Sequence, residues 1–178
     1  FSTPDWVKYY FDDINILNLA ICNKPLIEYY FDFLYLLNCK EVLVIIPSYQ
    51  AEVFKYIDRN SEWGMSIRIE IANDEESYSS IESRYSSFFE STSYGIIEGA
   101  IFLKYDQRNL DYFSTIQERK KLHFSGIDDD SKEVLILSSI KTYFDLSQNI
   151  INRKYRDYNL PGFGFQNDGH VGKGVILK

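Results

Sequence analysis

Hydrophobic positions in the first part of the chain change repeatedly between helical and extended patterns. Residues 25–37 are apolar almost all round, which predicts a helix that is buried on most sides. Residues 41–46 form a continuous, mostly β-branched run that Pro47 ends, as in a central parallel strand. Residues 66–72 alternate with period two and predict a second strand. Because 50–57 has helical spacing between these strands, the pattern indicates an α/β sheet.

The remaining segments predict further elements with less regular patterns. A short helix is expected to begin at Pro4, with Ser2 and Thr3 as a hydroxyl cap, and to end near Asp13. Residues 77–93 are rich in Ser, Tyr and Phe and fit either a helix or a loop. The later predictions are strands at 99–105 and 133–137, a helix at 110–120, a polar turn at 126–132 and a helix at 139–153. The last helix is expected to have an apolar side formed by Tyr143, Leu146, Ile150 and Ile151.

The composition fits one globular domain and argues against two classes of partner. A chain of 178 residues with 45% hydrophobic residues supplies a substantial core, and the 17% aromatic share is interpreted as core and interface filling. With 19 basic and 26 acidic side chains the net charge is −7, and no basic cluster is present. This charge argues against nucleic acid and against an anionic membrane surface as partners. No apolar run reaches the length of a membrane span.

The cysteines and histidines give little indication of metal or redox chemistry. Cys22 and Cys39 lie in apolar surroundings and are interpreted as free thiols of a reducing cytoplasm. His123 and His170 are too distant from each other and from the cysteines for zinc spacing. His123 fits a partly buried side chain better than a general base, because no paired carboxylate or nucleophile can be identified.

Four short motifs between residues 23 and 72 occur in an informative order. They are N-K-P-L-I-E-Y at 23–29, C-K-E-V at 39–42, Y-Q-A-E at 49–52 and S-E-W-G at 61–64. In this order they resemble the sugar-phosphate nucleotidyltransferases, or NDP-sugar pyrophosphorylases. The resemblance implies a nucleotide-binding fold, Rossmann-like and of the GT-A type, in which helices flank a mostly parallel sheet. It also implies that Trp63 and Gly64 form the turn before the next strand, whereas generic α/β packing is the alternative.

Residues 158–178 differ in composition from residues 1–157. Five of the nine glycines lie between positions 162 and 174. Leu160-Pro161-Gly162 and the later V-G-K-G-V-I at 171–176 resemble the linker and first coil of a left-handed β-helix, which often follows the nucleotidyltransferase domain in this family. The resemblance implies a nucleotidyltransferase-like domain at 1–157 and a truncated β-helix at 158–178. The β-helix is expected to be truncated because one coil cannot bury its own apolar face. The resemblance also implies homo-oligomers formed through the β-helix, because such helices usually trimerise. A flexible glycine-rich terminus is the alternative.

The resemblance also specifies catalytic groups that this sequence lacks. Active members of the family hold a nucleoside triphosphate with a glycine-rich loop near the start of the domain, but the first glycine here is Gly64. A phosphate-contacting Lys of the family corresponds to Ile16, and Asn15 and Leu17 replace its flanking prolines. The interval 110–138 is too short for the family's sugar-binding subdomain. Without these groups, little remains to offset the charge that develops in phosphoryl transfer.

Asp106 is the one catalytic position that the resemblance retains. It follows the predicted strand at 99–105, as the metal-binding Asp of the family does, although Tyr105 replaces the usual Gly. One interpretation is a Mg²⁺ ligand that bridges phosphate oxygens. The interpretation that we favour is a cap on the following helix. The acidic run 128–130 could supply the second metal-binding Asp that the resemblance implies, but an acidic run in a glycine-containing turn fits a solvated loop better.

Three functions follow from these observations. The favoured one is a catalytically degenerate nucleotidyltransferase-like scaffold or regulatory domain of a sugar-nucleotide or β-helix acyltransferase-type protein, with no cofactor assigned. The second is an active sugar-1-phosphate nucleotidyltransferase that uses Mg²⁺ and a nucleoside triphosphate, with its glycine-rich loop upstream of Phe1. The third is a module that binds a nucleotide or a sugar nucleotide without chemistry.

Overall fold

The computed structural model describes residues 3–12, 14–47, 63–73, 76–90, 94–98, 100–104, 121–125 and 134–152. Within these ranges the chain has a mixed α/β architecture. The helices are α1 (Asp5–Phe11), a 3₁₀ turn (Ile16–Asn18), α2 (Leu26–Leu36), α3 (Tyr78–Arg84), α4 (Ser86–Glu90) and α5 (Ile140–Ile151). The strands are β1 (Ala20–Ile21), β2 (Lys24–Pro25), β3 (Glu41–Pro47), β4 (Ser66–Ala72), β5 (Tyr94–Glu98), β6 (Ile101–Leu103), β7 (Lys121–Ser125) and β8 (Val134–Ile136).

Strands β3 and β4 form a parallel pair, as the hydrophobic pattern predicted. Their register runs from Glu41 opposite Ser66 to Pro47 opposite Ala72. β5 and β7 also pair in parallel, whereas β1 with β2 and β6 with β8 are antiparallel. Parallel neighbours need a crossover connection, and the helix predicted for it at 50–57 lies outside the described residues. The α/β class with a parallel strand pair is therefore confirmed.

Trp63 and Gly64 form a turn before β4, as the resemblance implied. Gly64 has a φ of +61°, a left-handed backbone that glycine adopts without a steric penalty. The preceding Trp63 is buried, and Met65, just before the strand, is buried too. The buried Trp63 and Met65 side chains thus anchor the start of β4 in the core, while Gly64 between them is exposed.

A short hairpin that the sequence pattern did not predict precedes α2. β1 and β2 are joined by Cys22 and Asn23, which both have positive φ values of 52° and 67°. This is the backbone of a type I′ turn, whose twist matches that of two antiparallel strands. Pro25 ends β2 and occupies the N-cap position of α2, so the helix starts one residue later than predicted.

Helix α2 lies at the centre of the core. Residues 26–33 of this helix are all buried. The Tyr29 ring lies edge-on to Phe102 of β6 at 5.1 Å between centroids, and Tyr30 donates a hydrogen bond to the Ile101 carbonyl at 2.6 Å. These contacts fix the helix against the β6–β8 pair. Tyr35, near the end of the helix, is exposed.

Helices α1 and α5 pack together beside the hairpin. The Trp6 and Phe11 rings of α1 both contact the Tyr143 ring of α5, at 6.1 and 5.5 Å between centroids. Tyr143 also donates a hydrogen bond to the Ala20 carbonyl in β1 at 2.8 Å. Tyr143 of α5 therefore links α1 to the hairpin.

Several predicted details differ from the structure. α1 begins at Asp5 after Pro4, and no side chain caps it, so the predicted hydroxyl cap is wrong. Ile151 is 54% exposed although it was predicted on the apolar side of α5, because consecutive helical residues are 100° apart and Ile150 takes the inward position. Residues 78–84 and 86–90 are helical. Of the described residues in the predicted strand at 99–105, Ile101–Leu103 form β6, and 100 and 104 lie outside it.

Other predictions fall on residues that the structure does not describe. They are the helix at 110–120, the turn at 126–132 and the glycine-rich stretch at 158–178. None of the helices in the described ranges combines the length and the apolar character needed to cross a membrane.

Candidate functional site

The most unusual polar feature of the described structure is a buried carboxylate in α2. Asp32 has an exposed fraction of 0%. Trp63 donates its indole N–H to Oδ1 of Asp32 at 3.0 Å, and the Lys24 ammonium contacts Oδ2. We call these three residues the Asp32 cluster. Both carboxylate oxygens are thus engaged, one by a neutral donor and one by a cation.

The order of the elements brings these residues together. Lys24 lies in β2, immediately before α2, and Asp32 lies on the second turn of that helix. The Lys24 side chain extends towards Asp32, and its ammonium lies 4.9 Å from the centre of the Tyr29 ring. Trp63 approaches from the turn before β4, where its ring packs against Phe31 at 5.2 Å between centroids. The cluster therefore joins the hairpin, α2 and the β3–β4 pair.

The cluster is shielded from solvent, and this changes its electrostatics. The Lys24 side chain is only 13% exposed. Burial raises the pKa of Asp32, and the nearby Lys24 charge and the hydrogen bonds from Lys24 and Trp63 lower it by less. An ion pair in such surroundings gains attraction but loses hydration of both charges. Its net effect on stability is therefore small compared with the cost of removing one partner.

The arrangement of donors and acceptors favours a structural role for the cluster. Each carboxylate oxygen of Asp32 contacts a donor of the protein, and the Lys24 ammonium contacts this carboxylate, so the charged groups are directed at each other. Tyr29 donates its hydroxyl to the Ile21 carbonyl at 2.9 Å, and burial raises its pKa. Among the described residues, no group of three or more His, Cys, Asp and Glu side chains is suited to hold a metal ion.

The segment in which the resemblance expects the family's phosphate-contacting Lys lies in the core. Ile16 is 0% exposed and Leu17 is 1% exposed, within the 3₁₀ turn. The Asn15 side chain accepts a hydrogen bond from the Leu17 N–H at 2.8 Å and so caps this turn. A cation at position 16 would have to be buried among apolar groups without a partner. The local structure is therefore a capped apolar turn rather than an anion-binding segment.

The two cysteines are free and half-buried, in agreement with the interpretation as thiols. Cys22 donates its thiol to the Ser147 carbonyl at 3.5 Å, and Cys39 donates to the Glu41 carbonyl at 3.1 Å. Burial raises the pKa of both thiols. Because the thiolate is the nucleophile, a raised pKa makes both side chains poorly reactive at neutral pH.

The remaining candidates from the sequence lie where the structure gives no account of their side chains. Asp106, the acidic run 128–130 and His170 are outside the described residues. His123 is part of β7, opposite Ile96 of β5, and only its backbone is described. The metal-ligand and helix-cap interpretations of Asp106 thus both remain predictions.

Asp32 was not predicted as a site residue from the sequence, and neither Lys24 nor Trp63 was predicted as its partner. One signal was available: Asp32 stands inside an almost wholly apolar helix, and a buried acid needs a paired cation or hydrogen-bond donors. Lys24 was noted only as part of the N-K-P motif. Trp63 was noted only as part of a turn, because no local pattern indicates that it reaches a residue 31 positions away.

No protein-family model matches this chain, and no curated protein matches its sequence.

Proposed function

We propose that this chain is a nucleotidyltransferase-like domain that acts as a scaffold or regulatory module and does not catalyse nucleotidyl transfer. The observation that carries the proposal is the complete burial of Ile16 in a capped turn. The family's resemblance assigns a phosphate-contacting Lys to this position. An apolar side chain inside the core offers no charge to a triphosphate, and catalysis of phosphoryl transfer depends almost wholly on such charges.

The Lys24 contact provides a second argument for the proposal. Lys24 is the cation of the N-K-P motif, and Asp32 neutralises it inside the protein. A phosphate that used this ammonium would have to displace a buried carboxylate and leave it without its cation, which is costly. The remaining features suit a nucleotidyltransferase-like fold of the Rossmann-like, GT-A type: a parallel β3–β4 pair and a Trp63–Gly64 turn before β4.

The proposal includes the association of this domain with a C-terminal β-helix. Residues 158–178 would form the linker and first coil, and several such coils would be needed to bury the apolar face of the helix. The whole protein would then be a homo-oligomer of the sugar-nucleotide or β-helix acyltransferase type. In such a protein the domain described here would position or regulate the β-helix part.

Calorimetric titration tests the central claim. The chain is titrated with nucleoside triphosphates and sugar nucleotides in the presence of Mg²⁺, and pyrophosphate release is assayed with a panel of sugar 1-phosphates. We expect no heat of binding and no pyrophosphate. The matched variants Asp106→Ala and Asp128→Ala are titrated in parallel, because Asp106 is the catalytic position that the resemblance retains, whereas the acidic run around Asp128 fits a solvated loop better.

Two results would contradict the proposal. Pyrophosphate release that Asp106→Ala abolishes and Asp128→Ala preserves would identify an active sugar-1-phosphate nucleotidyltransferase. Binding of a sugar nucleotide without turnover would identify a binding module instead.

A further inference from the structure

Helices α3 and α4 differ from α1, α2 and α5 in how they pack, and we call residues 77–90 the α3–α4 segment. Each of the other three helices places at least one side chain in the core: Val7, Phe31 and Leu146 are at most 1% exposed. In the α3–α4 segment, none of the side chains that the structure describes is buried. The segment therefore folds on the outside of the hydrophobic core.

The hydrogen bonds that hold the α3–α4 segment together are local. The Ser77 hydroxyl caps α3 by accepting from the Ser80 N–H at 3.3 Å. The Phe88 N–H donates to the Tyr85 carbonyl at 2.8 Å, which links α4 to the end of α3. Because both bonds join residues three positions apart, the segment can lose them without disturbing any contact between distant parts of the chain.

The α3–α4 segment lies beside β4 near the carboxyl end of that strand. β4 ends at Ala72, shortly before the cap of α3, and Tyr85 reaches back to Glu70. Burial raises the pKa of the Tyr85 hydroxyl, the Arg84 charge lowers it by less, and the Glu70 carboxylate raises it further. Open α/β sheets take up ligands beside the carboxyl ends of their parallel strands. The segment thus lies over the end of the β3–β4 pair that is of most interest for function.

We propose that the α3–α4 segment is a lid on β4 that opens as one unit while the core stays folded. The free energy of opening a segment increases with the apolar area that the segment buries, and this segment buries little. In the open form Glu70 becomes accessible at the carboxyl end of β4, whereas α2, the β1–β2 hairpin and α5 keep their packing. This inference does not depend on the proposed scaffold function.

Native-state hydrogen exchange of the whole chain, followed by NMR in urea below the unfolding transition, measures this opening. We expect the amides of α3 and α4 to report one common free energy of opening with little urea dependence. Their open population should exceed that of the α2 amides by about a hundredfold or more, because α2 opens only when the core unfolds. The α2 amides should show the full urea dependence of global unfolding.

Two matched cap variants distinguish a lid from a fully cooperative structure. Ser77→Ala removes the cap of α3, and Ser139→Ala removes the equivalent cap of α5, where the hydroxyl accepts from the Thr142 N–H at 3.2 Å. Ser77→Ala should raise the open population of the α3–α4 segment about fivefold, because only the closed form has this cap. Ser139→Ala should leave that population unchanged, since α5 remains folded in the open form as well.

Three results would overturn this inference. The α3–α4 amides would show the same free energy and urea dependence as those of α2, or the two variants would accelerate their exchange equally, as in a structure that unfolds only as a whole. Free energies that rise steadily from one amide to the next would indicate fraying rather than a lid. None of these results changes the expected outcome of the nucleotide titration.

Discussion

Two carboxylates that contact a cation, those of Asp32 and Glu76, differ in their surroundings. Asp32 in α2 is buried, and it contacts Lys24 and Trp63, which belong to other elements. Glu76 lies just before α3 and contacts Arg84 at 2.9 Å; the Glu76 side chain is 10% exposed, whereas the Arg84 side chain is 39% exposed. The first contact joins segments that are distant in the sequence. The second stays within nine consecutive residues.

The two ion pairs differ in which parts of the structure must be folded before they can form. The residues around Glu76 are connected locally: Ser80 donates its hydroxyl to Glu76 at 3.2 Å, and the Ser77 hydroxyl accepts from the Ser80 N–H at 3.3 Å. This set can form whenever α3 forms, and water can replace its members. The Asp32 cluster exists only when the hairpin, α2 and the turn before β4 are assembled. We therefore expect the contribution of each pair to the free energy of unfolding to depend on burial and on sequence separation, rather than on the distance between the charges.

Removal of the Asp32 carboxylate should have the largest effect. Asp32→Ala leaves the Lys24 ammonium and the Trp63 N–H buried without an acceptor. We expect a loss of roughly 3–5 kcal/mol in the free energy of unfolding, measured by urea denaturation. The matched variant Asp145→Ala, at an exposed helical position, should change it by less than about 0.5 kcal/mol. A loss for Asp32→Ala as small as that of the control would mean that Asp32 is solvated.

Removal of the indole donor should have a smaller effect. Trp63→Phe keeps an aromatic ring against Phe31 but leaves Oδ1 of Asp32 without its donor. An acceptor left unsatisfied in the core costs about 1–3 kcal/mol. Trp6→Phe is the comparison, because the Trp6 N–H bonds to the Leu137 carbonyl at a half-buried position and water can replace it. Equal losses by urea denaturation for the two variants would show that burial of the acceptor has no special role.

The pH dependence of stability provides a weaker but more specific test of the Asp32 cluster. Because burial raises the pKa of Asp32, the folded chain holds this proton more tightly than the unfolded chain. The resulting stabilisation is complete below the unfolded pKa of about 3.9 and is lost as the pH rises through the folded pKa. Asp32→Asn cannot titrate. The stability of the wild type relative to this variant should therefore fall as the pH rises.

Urea denaturation of both proteins between about pH 3.5 and pH 7 measures this trend. The other carboxylates titrate in both proteins and cancel in the difference. We expect the slope to be modest, since Lys24 and Trp63 oppose the effect of burial. A difference that increases with pH would show that the charge of Lys24 outweighs burial, and that the pKa of Asp32 is lowered.

The sequence predicted the parts of the fold that depend on local pattern. The apolar run before Leu37 predicted α2, and the runs at 41–46 and Ser66–Ala72 predicted β3 and β4 almost to the residue. The β1–β2 hairpin was missed because its strands have only two residues each, and Cys22 rarely adopts a left-handed backbone. Elements this short leave no periodic signal.

The Asp32 cluster shows why the candidate site was harder to predict than the strands. Its three members come from a strand, a helix and a turn, and the spacing between Asp32 and Trp63 carries no periodicity. Only the presence of an acid in an apolar helix pointed to it. The family resemblance instead indicated Asp106, which lies outside the described residues. Motif order thus suggested a functional class, whereas the distant contacts depend on three-dimensional packing.

Removal of the Arg84 charge should have the smallest effect and completes the comparison of the two pairs. Arg84→Met keeps much of the aliphatic side chain but removes the guanidinium from Glu76 and from the face of the Tyr85 ring, 5.0 Å away. Exposed pairs contribute about 0.2–1 kcal/mol, and salt screens them. We expect a loss in that range in low salt and almost none in about 1 M NaCl.

Lys24→Met is the matched variant in the buried pair, since it makes the same type of change beside Asp32. Its cost in the same urea experiment should be larger and nearly independent of salt, because bulk ions do not reach a closed site. Equal costs with equal salt dependence would show that the two pairs have the same environment. Only a difference in both quantities supports the conclusion that burial, and not the ion pair itself, gives the Asp32 cluster its importance for the fold.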